Sequence, residues 1–394
     1  MIKIIAFLLI NIFTMGNSMA ADGLEYVFIE KPNQKIHIVK IDLHQYDVAL
    51  VSAHNRVFGR EKAGDIAERE NAEVAINAGF FQIGQNEDGR PTGTLIINGE
   101  IFGLRTTNHA VFAVRNKIPS IEMWHPKIEL EIAQNKFIPS KYNKFVNNKS
   151  VILYSDKWGH STLTAFNTRN EITISKDKKV SNLANHGNNV IPSEGYVLSL
   201  PKSQDISFIK IDDFVQFNEE DNHSIFDKST SAIMGIPFLI MDGIVNEKLS
   251  DSEKHARTAI GVDKDRKIIV TVVECIYTKS PSSLTLRETQ DILQKKNISL
   301  NNLQAADVKK ILLKELSNTN EAEGMGLKEL AHLMLEQGCI SAINLDGGGS
   351  STLYINGKYV NEQVGDKDEA HGLSEVRPLS DAIIFKKNLK TKNK

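Results

Sequence analysis

Three stretches of this chain share one layout: an apolar run, a two-residue turn and an extended return. They are "TGTLIINGEIFG" (92–103), "IPFLIMDGIVNEK" (236–248) and "SSTLYINGKYVN" (350–361). Asn-Gly or Asp-Gly at the turn is the strongest short-range hairpin signal, because both turn residues must accept a positive φ. A β-rich core with repeated hairpins follows. Further strands are predicted at 36–41, 47–53, 74–77, 110–115, 258–263, 267–275, 340–345 and 380–385 from β-branched and alternating apolar residues. Helices are fewer. The pattern predicts one over 60–72 and another over 326–337, where Leu327, Leu330, Leu333 and Met334 recur at helical spacing and Gly338 stops the run.

The expected fold class is α+β, with a few packed helices and a helical insertion. A chain of 394 residues with 41% hydrophobic and 24% charged residues can form one large domain or two ordinary ones. Residues 1–20 read as a signal peptide: Lys3, an apolar run from Ile4 to Met15, then small residues Ser18 and Ala20 before a cut after Ala20. That run meets Asn11 and is shorter than the roughly 20 apolar residues of a membrane span. An exported protein, periplasmic or secreted, with no integral membrane segment after cleavage is expected. Residues 21–115 and 232–394 are expected to form the two parts of one main domain. Between them, 116–231 is a Lys- and Asn-rich β insertion or subdomain, and 279–324 is the helical insertion.

Charge narrows the partners. With 47 basic and 49 acidic side chains the net charge is −2, so no global field recruits nucleic acid. Any anionic ligand must be met by local groups. Two cysteines, Cys275 and Cys339, exclude a disulfide scaffold and a cysteine-based zinc site; one disulfide or two buried thiols both fit. No sequence feature fixes an oligomeric state.

The chemistry concentrates in "INLDGGGSSTLYING", where Asp346 precedes three glycines and two serines. A phosphate-cradling P-loop would need a lysine here and would open a helix; this segment has neither. Strand-like apolar residues flank the glycines, which argues against a linker. What remains is a tight turn whose bare backbone lets a ligand approach and whose N–H groups form an anion-binding concavity, with a purely structural turn as the alternative. Asn344 and Asp346 alternate along a strand and so share a face.

These residues carry a resemblance. "NLDGGGSSTL", preceded by "GLKELAHLMLEQGCISA", resembles the phosphodiester glycosidase family. So do "AINAGFF" (75–81) with "PTGTLIINGEI", "HARTAIGVD" (255–263) and "EVRPLSDAIIF" (375–385), in the family's order. The resemblance covers roughly 70–115 and 232–386. It implies hydrolysis of the bond between a sugar's anomeric carbon and a phosphodiester, with a sugar-phosphodiester or glycan as substrate. An arginine offers a planar fork for phosphate. Arg257, in the matched block, is the first candidate, and Arg377 assists or pairs with Glu375. The amides of Gly347, Gly348 and Gly349 add neutral donors. Asp346 is the first catalytic carboxylate and Glu274, closing the strand "IIVTVVE", the second. Asn77, Asn344, Ser350, Ser351 and His255 complete the expected binding set. After Glu274 the chain departs from the family, reading "ECIYTKSPSS" before the helical insertion, which puts the role of Glu274 in doubt.

No cofactor is required. Asp346, Asn344 and carbonyls offer oxygens that calcium accepts, but no metal-binding pattern calls for one. Two rival readings are a non-catalytic module binding envelope glycans or phosphodiester polymers, and a phosphodiesterase that cleaves the P–O bond.

Overall fold

The computed structural model describes all residues except 1–13, 32–33, 146–148, 221–222, 277–288, 291–292, 295–297, 299–306, 309–310, 312–321, 368–373 and 389–394. Two antiparallel sheets face each other. The larger has eight strands in the order Thr14–Ala21, Leu24–Lys31, Gln34–Ile41, Ile268–Val273, Arg257–Asp263, Cys339–Asn344, Phe238–Met241 and Ile244–Val245. The smaller has five, in the order Lys358–Tyr359, Leu353–Ile355, Val74–Asn77, Asp381–Lys387 and Tyr46–Ser52. Val39, Ile260, Val270, Val272, Ile343 and Leu345 from the larger sheet meet Leu50, Ile76, Ile383 and Phe385 from the smaller in one buried core.

Strand alternation gives each sheet a second apolar face, and each is covered by a helix. Helix Leu327–Glu336 lays Leu330, Ala331 and Met334 on Ile38, Ala259, Ile269 and Ala342. Helix Ala63–Glu70 lays Ala63, Ile66 and Ala67 on Ala75, Ala382 and Ile384. The result is helix, sheet, sheet, helix, four layers deep.

The fold is β-rich with several sheets, and only two α-helices lie among the described residues. It is more strongly β than the expected α+β class. Each of the three hairpins turns on two residues of positive φ: Asn98 and Gly99 (51° and 76°), Asp242 and Gly243 (50° and 79°), Asn356 and Gly357 (48° and 85°). The helical insertion expected over 279–324 lies largely outside the described residues.

Segment 116–231 builds a three-stranded sheet (Asn135–Phe137, Lys127–Ile132, Val215–Glu220) and a five-stranded sheet around Tyr196–Pro201. Its Trp124, Ile128, Leu130, Ile172 and Leu198 form a second core with Ile96, Ile101 and Val111. Tyr154, Trp158 and Val197 reach the main core.

The backbone of Thr14–Ala21, all but its last residue within the expected signal peptide, pairs with Leu24–Lys31 at the sheet edge. Both cysteines are buried, and burial pushes the Cys339 thiol up to about 12. Among the described residues no helix is long and apolar enough to cross a membrane.

Candidate active site

Asp346 stands where strand Cys339–Asn344 leaves the larger sheet, and the glycine loop then crosses to Leu353–Ile355 of the smaller one. The loop therefore bridges the two sheets at one end of their shared core. Two buried asparagines fix it. Asn77 Nδ2 donates to the Asp346 carbonyl at 2.6 Å, while its Oδ1 accepts from Thr258 Oγ1 at 2.7 Å and from the Thr352 amide at 3.0 Å. Asn361 Nδ2 donates to the Ser351 carbonyl at 3.1 Å and its Oδ1 accepts from the Leu353 amide at 2.7 Å. Asn77 is thus a brace inside the protein. Of the two roles an amide here could take, contact with substrate or bracing the turn, the hydrogen bonds on both sides of the amide are those of a brace.

The Asp346 carboxylate accepts from the Gly347 amide at 2.9 Å and hydrogen-bonds the Ser350 hydroxyl. Burial raises its pKa, and those two donors together with the charge of Arg377 oppose the rise. Arg377 converges on the same place: its NH1 donates to Ser350 Oγ at 3.3 Å, its Nε to Asp366 at 2.6 Å and its NH2 to the Gly365 carbonyl at 3.4 Å. Its partner is Asp366, not the expected Glu375.

The loop amides are less open than expected. Gly347 N–H serves Asp346 itself and Gly348 N–H donates to the Ala256 carbonyl at 2.8 Å, so two of the three proposed anion donors are spent internally. Gly348, at φ 59°, faces open space.

Arg257 serves the rear of the loop. Its Nε donates to the Met325 carbonyl and its NH2 to the Glu253 carbonyl, both at 3.1 Å, tying 253–257 to the start of helix Leu327–Glu336. His255 pairs with Met325 through the backbone in the same corner. Asn344 donates to the Ile236 carbonyl at 2.8 Å, and its Oδ1 is buried without a partner among the described residues. Ser351 Oγ is likewise buried and unpartnered.

The carboxyl that shares Asp346's surroundings is Asp381, absent from the expected set. It opens strand Asp381–Lys387, is 2% exposed, and accepts from the Gly79 amide at 2.5 Å and from the Ser380 hydroxyl. Ala78, beside Gly79, accepts the Asp346 amide at 3.0 Å. Burial pushes Asp381 up to about 6, against the pull of its two donors and with the Asp346 charge adding to the rise. An acid opening an otherwise apolar strand in "SDAIIF" was the signal for it. Glu274 belongs elsewhere: it faces His37 at 2.8 Å and takes the Glu362 amide at 2.7 Å. One strand, Arg257–Asp263, separates the strand that leads to Glu274 from the strand that leads to Asp346.

A family model described as phosphodiester glycosidase matches residues 166–306 and 304–386, more than half of the chain. The chain belongs to the phosphodiester glycosidase family. The matched span contains every element around the glycine loop except the strand of Asn77. An uncharacterized protein of Rickettsia conorii (strain Malish 7) is 35% identical over 281 residues, covering 68% of this chain and 99% of that relative. The N-acetylglucosamine-1-phosphodiester alpha-N-acetylglucosaminidase of Bos taurus is 43% identical over 47 residues, 12% of this chain and 9% of that enzyme.

Solved structures that share the fold of this family member include a hypothetical protein from Synechocystis, with TM-score 0.65 and 17% identity over 93% of this chain; the chain spans 62% of its length. A Burkholderia pseudomallei K96243 protein described as a candidate exported protein gives TM-score 0.62 and 15% identity over 92% of this chain and 74% of its own.

Proposed function

We propose that this family member hydrolyses the bond between the anomeric carbon of a sugar and the phosphate of a phosphodiester, releasing free sugar and a phosphomonoester. The observation that carries the reading is the convergence of Arg377 and Asp346 on Ser350 at the rim of a rigid glycine loop. A guanidinium there can share the charge that grows on a departing phosphate oxygen. A partly buried carboxylate beside it can take a proton from water as the water oxygen bonds to the anomeric carbon, or can stabilise positive charge on the sugar. The electron pair of the broken carbon–oxygen bond leaves with the phosphate, which needs little help from an acid.

In this scheme Asp346 is catalytic, Arg377 binds phosphate in the place first expected for Arg257, and Ser350 couples the two. Asp381 positions the Ala78–Gly79 backbone that receives the Asp346 amide. The name of the Bos taurus relative supports an N-acetylglucosamine-like sugar. Export with cleavage after Ala20 fits the N-terminal pattern; the intact mass of protein recovered from the periplasm or medium tests it, and a mass that retains residues 1–20 would refute it.

The test of activity is turnover on a chromogenic alpha-N-acetylglucosamine-1-phosphodiester, beside an aryl glycoside and an aryl phosphodiester. Free sugar from the first alone, with oxygen-18 from water entering the sugar, is the expected result. Label in the phosphate would mean P–O cleavage. Binding without turnover of any of the three would make the chain a binding module.

A further inference from the structure

Three neighbouring strands of the larger sheet change character at the same end of the same face. In Leu24–Lys31, Gln34–Ile41 and Ile268–Val273, the inward residues Leu24, Ile41, Val39, Val270 and Val272 belong to the core between the sheets. Register then pairs Phe28 with His37, Glu30 with Lys35 and His37 with Val272, and the Glu274 amide donates to the Lys35 carbonyl at 3.0 Å. Tyr26, Phe28, Glu30, Lys35, His37 and Glu274 therefore line one side of a cleft of about 570 Å³, with Val360 and Glu362 opposite. That size suits a small ligand.

The floor is a relay. Tyr26 Oη lies 2.9 Å from His37 Nδ1, and His37 Nε2 lies 2.8 Å from Glu274 Oε1. A carboxylate oxygen only accepts, so Nε2 carries a proton toward Glu274. Glu274 Oε1 also takes the Glu362 amide at 2.7 Å, whereas Oε2 is buried with no partner among the described residues. Leaving a buried carboxylate oxygen unmet is costly, and a ligand that brings a donor recovers that cost.

The lining decides which donor. Glu30, Glu274 and Glu362 stand against Lys35 alone, so the cleft disfavours phosphate and other anions. Lys35 Nζ already stands 4.0 Å from Glu362, so a cation is supplied at the rim. Tyr26 and Phe28 are part-exposed rings, with Phe28 tilted against His37 at 4.9 Å between centroids. Aromatic faces beside a buried acceptor match a sugar ring, which has an apolar C–H face and hydroxyl donors on its edge. The cleft also adjoins the glycine loop: Asn361 holds Ser351 and Leu353, and the next residue, Glu362, holds Glu274.

We propose that the Tyr26–His37–Glu274 cleft is a glycosyl subsite, holding one sugar ring through hydroxyl donation to Glu274 while the phosphate lies toward Arg377. The assignment of that ring to the phosphodiester substrate rests on the reading above; the binding of a sugar does not. The test is saturation-transfer NMR on the full chain with methyl alpha-glycosides of N-acetylglucosamine, glucose, galactose and mannose, beside tetramethylammonium and inorganic phosphate. At least one glycoside is expected to bind, and Glu274→Gln and Phe28→Ala are each expected to weaken it about tenfold, the loss of one good contact, while phosphate binding stays unchanged. Sugar binding without any turnover would sink the hydrolase reading and keep the subsite. No glycoside bound, binding untouched by both variants, or tetramethylammonium bound in their place would overturn the subsite, even in an active hydrolase.

Discussion

Arg377 occupies the space that a side chain at Gly349 would need. A methyl group at 349 would lie 2.3 Å from the Arg377 NH2 nitrogen and 2.4 Å from its central carbon. The Gly365 carbonyl would lie 2.6 Å away as well, so the third glycine of the run is explained by the arginine and the backbone of 365 packed over it, and only indirectly by a ligand.

Gly349→Ala should displace Arg377 from Ser350 and lower kcat/KM on the phosphodiester by about a hundredfold, the usual cost of losing one preorganised donor. Circular dichroism should be unchanged, since the loop is held separately by Asn77 and Asn361. Wild-type kcat/KM in this variant would remove Arg377 from the mechanism.

Asp346→Asn should cut kcat by about a thousandfold or more without lowering the melting temperature. Its carboxyl is raised in pKa chiefly by burial, so the folded state already disfavours its charge. A melting temperature several degrees lower would mean that Asp346 is chiefly structural.

Asp381 gives a pH dependence with a definite sign. Its folded pKa of about 6 lies above the ordinary 3.8, so between these values the folded protein holds a proton that the unfolded chain has released. Its contribution to stability is fully present below about pH 4 and is lost as pH rises through 6, by on the order of 3 kcal/mol. Asp381→Asn cannot titrate. The difference in unfolding free energy, variant minus wild type, should move toward the variant between pH 4 and 6 and level off above; a flat difference across that range would contradict the assignment.

Asn77→Ala should destabilise the protein by about 2–4 kcal/mol, because it strips partners from the Asp346 carbonyl, Thr258 and the Thr352 amide in a buried setting. Urea unfolding measures this. An unchanged midpoint would show that the loop does not depend on this brace.

The turns, strands and helices were legible because their chemistry is local. Asn356-Gly357 accepts positive φ whatever surrounds it, and Leu330, Leu333 and Met334 mark a helical face by spacing alone. Asp346 was legible for a related reason: an acid followed by three glycines makes little sense as a strand. Which residues meet it was another matter. The sequence favours Arg257 over Arg377, and the position of Arg377 beside Asp346 depends on where Asp366 and Gly365 fold back.

What the sequence alone determined here is the β-rich hairpin core, two of its helices and the acid–glycine turn, since each follows from contacts within a few residues. What only the tertiary structure decided is the company those residues keep. Asn77 reaches Asp346 across 269 positions and Glu274 reaches His37 across 237. Glu274 lies apart from the carboxyl pair because strand order, not strand pattern, sets its neighbours. Hydrogen bonds over such separations are fixed by how sheets stack and register, and no local propensity encodes that.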